Sequence, residues 1–331
     1  MRLNFINKIT DTVNLNYVVK SVIYNSDPNI LYLSLRGGGI TTFDISNPKS
    51  PFILSHWDEE EKRVIEGQDR FDNFMVFADI SRGGIFLFDV SDPSNLKKIF
   101  YYDIPEVESV LHSKIYKRDG RVYVLLTGGF SFSDFSSSDS FIIVDITEFD
   151  SPKLVSVLNT GVFGAEGVYI NDNYVYFGGF DSSKFIVIDI SDIDSPCVVN
   201  SLQENYYSQM VCDVDENGVL YAALWGENGG IASFDISDPL NIRQIGLVLD
   251  KKLSRSNRIN FKDNYIFLPL ELENGGGVGV VDKSDSKKLK FIDSFSNLVG
   301  VLKPYCLAIK DEYLYLFSSK NSSMHIFKIE V

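Results

Sequence analysis

Apolar residues in this chain gather in short runs of about five, and one such run recurs seven times. Ile40–Asp44 (ITTFD), Ile85–Asp89 (IFLFD), Phe141–Asp145 (FIIVD), Phe185–Asp189 (FIVID), Ile231–Asp235 (IASFD) and Val278–Asp282 (VGVVD) each end in Asp. The seventh, Met324–Lys328 (MHIFK), ends in Lys. Successive copies lie 45, 56, 44, 46, 47 and 46 residues apart. A unit of roughly 40–50 residues built from several short strands is the mark of a β-propeller. The runs are nearly continuous in apolar character, as expected of strands buried on both faces between neighbouring sheets.

Each unit reads as four strands. In the fourth, these are Gly167–Ile170, Tyr174–Gly178, Phe185–Ile190 and Val198–Leu202, with Asn171-Asp172-Asn173 as the first hairpin turn. Asn and Asp suit such turns because they tolerate the left-handed conformation. The repeat Asp opens a turn phrase such as Asp89-Val90-Ser91-Asp92-Pro93. Its carboxylate and the Ser hydroxyl cap local backbone N–H groups, and Pro opens an edge strand where a lost N–H costs little. Repetition in nearly every unit argues for a turn device rather than a ring of metal ligands.

The last unit stops at Val331, after its third strand, and Leu3–Ile9 (LNFINKI) resembles an outer strand such as Lys153–Leu158 (KLVSVL). The prediction is an all-β, seven-bladed propeller of four-stranded antiparallel blades. Residues 1–331 form a single propeller domain, and the N-terminal strand at 2–10 completes blade seven and closes the ring. Closure removes a free edge that would invite aggregation. The repeated phrase resembles the LVIVD-repeat family of bacterial and archaeal propellers. That resemblance implies the fold and supplies no catalytic residues. Many members are attached to cell surfaces, and the expectation is that this chain departs from them, without a signal peptide or anchor.

Composition narrows the function. The net charge of −14 opposes binding to a nucleic-acid backbone, which needs a basic surface. No apolar run approaches the ~20 residues that span a membrane, and the N-terminus lacks a secretory apolar stretch. The expected location is cytoplasmic, with no nucleic-acid and no membrane partner. Cys197, Cys212 and Cys306 sit in or beside strands of different blades. Their odd number and wide spacing oppose a disulfide framework or a zinc site, and buried, inert thiols are expected.

Candidate chemistry lies where the seven-fold symmetry breaks. Aligning the repeats places Val19, Glu66, His112, Glu166, Met210, Asn257 and Tyr305 at the start of the inner strands. Lys20, Gln209 and Arg258 compete for the register in blades one, five and six. This reading gathers Glu66, His112 and Glu166 on one rim, with one of only three histidines between two carboxylates. Such a trio suits acid–base work, because carboxylates beside an imidazole in a shielded channel can hold different protonation states. Tyr305 with Asn257 or Arg258 would orient a polar substrate or stabilise developing negative charge. Met210 lines the same rim. Arg36 and Arg82 precede glycine runs on the same face, which read as turns rather than phosphate cradles.

The second asymmetry is the blade-three insertion at 128–140 (GGFSFSDFSSSDS). Phe132 and Phe135 make it a candidate lid or aromatic wall. The expectation is a small-molecule-binding propeller with a channel-mouth site, extending to a cofactor-independent lyase, isomerase, cyclase or hydrolase. The alternative is a non-catalytic protein-interaction scaffold, with Phe132, Phe135, Tyr206 and Tyr207 as contact residues. No cofactor is expected, although carboxylates leave room for a bound calcium or magnesium ion.

Overall fold

Strands in this protein pair in seven separate antiparallel sheets of four, arranged as the blades of a propeller. The computed structural model describes all residues except 60–62, 106, 129–138, 163–164, 180–183, 205–209, 215–217, 227, 257, 274 and 331. The side chains of 139, 165–166 and 210–214 also lie outside the described set. The insertion at 128–140, with Phe132 and Phe135, therefore falls almost wholly outside it, as do Tyr206, Tyr207 and Asn257 and the side chains of Glu166 and Met210.

Six blades run from inner to outer strand in chain order. Their inner strands are β2 (Val18–Val22), β6 (Ile65–Phe71), β10 (Val110–Arg118), β14 (Ala165–Asn171), β18 (Met210–Val214) and β22 (Asn260–Lys262). Blade seven is composite. Its inner strand β26 (Pro304–Lys310) is followed by β27 (Tyr313–Ser318) and β28 (Ser323–Glu330), and its outer strand is β1 (Arg2–Thr10). The pairing of β1 with β28 runs from Arg2↔Glu330 to Thr10↔Ser323. Ring closure by the N-terminal strand is thus observed.

The apolar core lies between blades. Val76, Ala78, Ile85 and Leu87 of blade two pack on Val124, Leu126, Ile142 and Val144 of blade three in one buried cluster. Blades seven and one meet in the same way, with Tyr315, Phe317, Met324 and Ile326 against Leu31, Leu33 and Phe43. Period-two side chains on the second and third strands face two neighbouring blades in turn, so the middle residues of these strands are mostly apolar or small.

Two turn devices repeat. The inner hairpins carry Asp72, Asp119, Asp172, Asp263 and Asp311 with φ between 50° and 52°, a left-handed conformation that Asp adopts at modest cost. At the far end of the third strands, Asp44, Asp89, Asp145, Asp189, Asp235 and Asp282 each accept the amide two residues on, at 2.7–3.1 Å. These carboxylates cap turns. Hydrogen bonds from Ser91 and Ser237 hold the carboxyls of Asp89 and Asp235 below the usual range.

Candidate functional site

An irregularity in the inner strands sets the site. The first pairs of β2, β6, β10 and β26 contain a bulge, between Val18 and Lys20, Ile65 and Gln68, Val110 and His112, and Pro304 and Cys306. Val19, Glu66, Leu111 and Tyr305 occupy the bulges. Lys20, His112 and Cys306 come next, facing Ser34, Thr127 and Phe317. Those partners in turn face Ile40, Phe141 and Met324, each at the same distance from the repeat position. His112 is therefore equivalent to Lys20 and Cys306, and Leu111 is equivalent to Glu66. The single rim read from the sequence separates into two layers, because a bulge inserts a residue that the apolar pattern does not show. Glu166 pairs with Gly178, which places its backbone in the register of His112.

The upper layer is an ion cluster drawn from four consecutive blades. Glu66 of blade two is completely buried. Its Oε2 accepts Arg36 Nε at 2.9 Å and Arg36 Nη2 at 2.6 Å. Its Oε1 accepts Arg258 Nη2 at 3.2 Å. Arg36 stands on the turn of blade one between β3 (Ile30–Leu35) and β4 (Ile40–Asp44), where its amide donates to the Tyr17 carbonyl at 3.0 Å. Arg258 leads into β22 of blade six. Tyr305 of blade seven fills the space between, with the guanidinium carbons of Arg36 and Arg258 at 5.2 and 5.3 Å from its ring centroid. Its hydroxyl accepts Arg36 Nη2 at 3.4 Å. Tyr17 completes the group, 5.8 Å from the Arg36 guanidinium and edge-on to Tyr305.

Below this cluster lies a cavity of ≈ 250 Å³ along the axis. Its lining includes Lys20, His112, Ser113, Lys114, Arg258 and Cys306. Ser113 is 1% exposed, and its Oγ has no hydrogen-bond partner among the described residues. Gly67 explains how closely the walls approach. A Cβ there would lie 2.7 Å from the Ser113 amide and 2.8 Å from the His112 Cα. Burial pushes the Cys306 thiol up to about 12, so it lines the cavity as an inert group.

Of the described candidates, Glu66 and Tyr305 each touch both Arg36 and Arg258, and His112 lines the cavity that Arg258 also lines. Arg82 is exposed on the turn before Gly84. Tyr17 was missed by sequence reasoning; only its place just before an inner strand signals it. Cys197 is exposed rather than buried. Its outer strand faces solvent where the inner strands do not.

The remaining histidines are not among the residues that line this cavity. His56 Nδ1 lies 2.8 Å from Thr41 Oγ1, and burial pushes its imidazole down, with Asp58 and Asp11 acting against this. His325 is fully buried in β28, its Nε2 2.9 Å from Ser323 Oγ. Among the described residues, no group of three His, Cys, Asp or Glu side chains is placed to hold a metal ion, and no helix is long and apolar enough to cross a membrane.

Seven four-stranded blades around a polar axial cavity define the protein as a seven-bladed β-propeller. Residues 164–204 match the family model for the LVIVD repeat, a stretch that coincides with blade four. No curated protein matches the chain.

Proposed function

We propose that this propeller binds a small organic molecule at the mouth of its central channel. The observation that carries the reading is the convergence of Arg36 and Arg258 on the fully buried Glu66 at the head of the axial cavity. Buried ion clusters are poor stabilisers compared with packed apolar groups. The equivalent bulges of blades one and three hold Val19 and Leu111, so the fold does not need charge at this position. Charge retained in one sector of a symmetric ring marks a recognition site. The cavity is just below the ~300 Å³ at which ligand pockets usually begin, so the occupant is small.

Within this reading the roles shift. Both Glu66 oxygens accept guanidinium hydrogen bonds, so its part is to anchor Arg36 and Arg258 rather than to take a proton. His112, on the cavity wall, is the group suited to acid–base work in any catalytic extension. The scaffold alternative rests on Phe132, Phe135, Tyr206 and Tyr207, which lie outside the described residues.

The test is a thermal-shift and calorimetric screen of the full chain against small organic acids, sugars and nucleosides. The expected result is at least one binder whose affinity falls tenfold or more in Arg258→Met. Binders indifferent to Arg258→Met, Arg36→Met and His112→Ala would place the site elsewhere. Conversion of a binder that persists unchanged in His112→Ala would remove the acid–base extension.

A further inference from the structure

Tyr17 holds a conformation that its side chain does not favour. Its φ of +55° lies in the left-handed region, where a bulky residue is an outlier and Gly or Asn is the usual choice. The backbone turn itself has a clear purpose, since the Tyr17 carbonyl accepts the Arg36 amide at 3.0 Å. That bond requires the turn, not the tyrosine. Strain kept at a residue that glycine would relieve is a reason to look for a use of the side chain.

The residue is 40% exposed, although it belongs to the cluster at the channel mouth. It stands roughly perpendicular to Tyr305, with centroids 6.4 Å apart and planes at 78°, and the Arg36 guanidinium lies over its ring, 5.8 Å from the centroid. Beside it, Arg36 is pinned through Nε and Nη2 to one oxygen of Glu66, which fixes the guanidinium plane. Its side chain remains 28% exposed. An aromatic ring and a fixed guanidinium are both surfaces on which flat conjugated groups stack.

We infer that Tyr17 and Arg36 form a stacking platform for a planar conjugated ring, neutral or anionic, carried by the ligand of the channel mouth. The inference rests on the channel-mouth reading above and adds the ligand's shape and charge. Glu66 acts in it as a positioning residue, since it reaches the ligand through the guanidinium groups that it holds, Arg36 and Arg258. The guanidinium groups of Arg36 and Arg258 disfavour a cationic ring, and a puckered saturated ring of equal charge lacks the flat face that stacking uses.

Calorimetry on the full chain with 2-naphthoate, its saturated counterpart decahydro-2-naphthoate and the cation 2-naphthylmethylammonium separates these features. The wild type should bind 2-naphthoate at least tenfold more tightly than either of the others. Tyr17→Gly should abolish the preference over the saturated acid, and Tyr17→Phe should keep it. Tyr17→Asn, which also tolerates the left-handed turn, repeats the test if the glycine variant fails to fold. Equal affinities for the flat and saturated acids, or a preference that survives in Tyr17→Gly and Tyr17→Asn, overturn the platform. If the acids bind equally but lose binding in Arg258→Met, the platform falls and the channel-mouth reading stands. If neither acid binds, the platform falls, and if the wider screen is also empty both readings fall.

Discussion

Arg258 of blade six reaches Glu66 of blade two at 3.2 Å, across 192 positions of sequence. The pair ties opposite sides of the propeller together over the channel, with Tyr305 of blade seven and Arg36 of blade one between them. The apolar clusters that hold the blades together join neighbours in the ring. This bond is a chord of the circle.

Removing the carboxylate should therefore be costly. Glu66→Gln leaves two guanidinium groups facing an amide in a buried site, and breaking such an arrangement from one side costs about 3 kcal/mol. Urea unfolding of Glu66→Gln, Arg258→Met and the double variant would measure it. The expected pattern is a double variant less destabilised than the sum of the single ones. Strict additivity would show that the two residues do not interact in solution.

Gly67→Ala probes the wall beside the anchor. The added methyl would meet backbone atoms of Leu111, His112 and Ser113 at 2.7–2.8 Å, where no side chain can move aside. Overpacking of this kind costs roughly 1–3 kcal/mol. A fall in the urea midpoint with an unchanged denaturant slope is the expected outcome, together with weaker ligand binding as blades two and three are pushed apart.

His325 couples the ring closure to pH. Burial and the Lys8 ammonium on β1 push its imidazole down to about 4, against the opposing effect of the Gly300 backbone. The unfolded chain takes up this proton near pH 6.5. Stability from this group is therefore complete above pH 6.5 and lost as pH falls toward 4, by at most about 3 kcal/mol. Unfolding free energies from pH 7.5 to 4 should fall more steeply for the wild type than for His325→Gln. Identical slopes would remove His325 from the acid response.

The thiols should separate by reactivity. Cys197 is exposed and Cys306 is buried, with its thiol pushed up to about 12. An aromatic disulfide reagent at pH 8 should label Cys197 in the folded protein and leave Cys306 untouched until the chain unfolds. Peptide mapping after brief labelling checks both. Early modification of Cys306 would mean that the cavity wall opens far more readily than its burial indicates.

The blades, their strands and the composite seventh sheet are legible in the sequence because burial on both faces leaves a continuous apolar run. The repeat Asp is legible as a turn former for a similar reason, since it recurs beside Ser in a local hydrogen-bonding pattern. The layering of the channel is not. Leu111 and His112 differ by one bulge, and a bulged apolar residue looks like any other residue of a strand. The Arg36–Glu66 pair joins positions 30 apart, from a turn where the Arg36 amide bonds the carbonyl of the left-handed Tyr17. Such meetings are products of the closed ring, and nothing in a local window of sequence encodes them.

The union of β1 with β28 also has a consequence for the order of events during synthesis. Strand β1 is made long before β28, so throughout translation it has no place to dock and the first and last blades cannot meet. Contacts of such high sequence separation form slowly, and an unpaired strand is prone to wrong partners while it waits. The nascent chain can assemble its middle blades as they emerge, yet the circle can shut only after the ribosome has delivered the final strand. The chord from Arg258 to Glu66 forms late for the same reason, and the ion cluster at the channel mouth is complete only when the fold is finished.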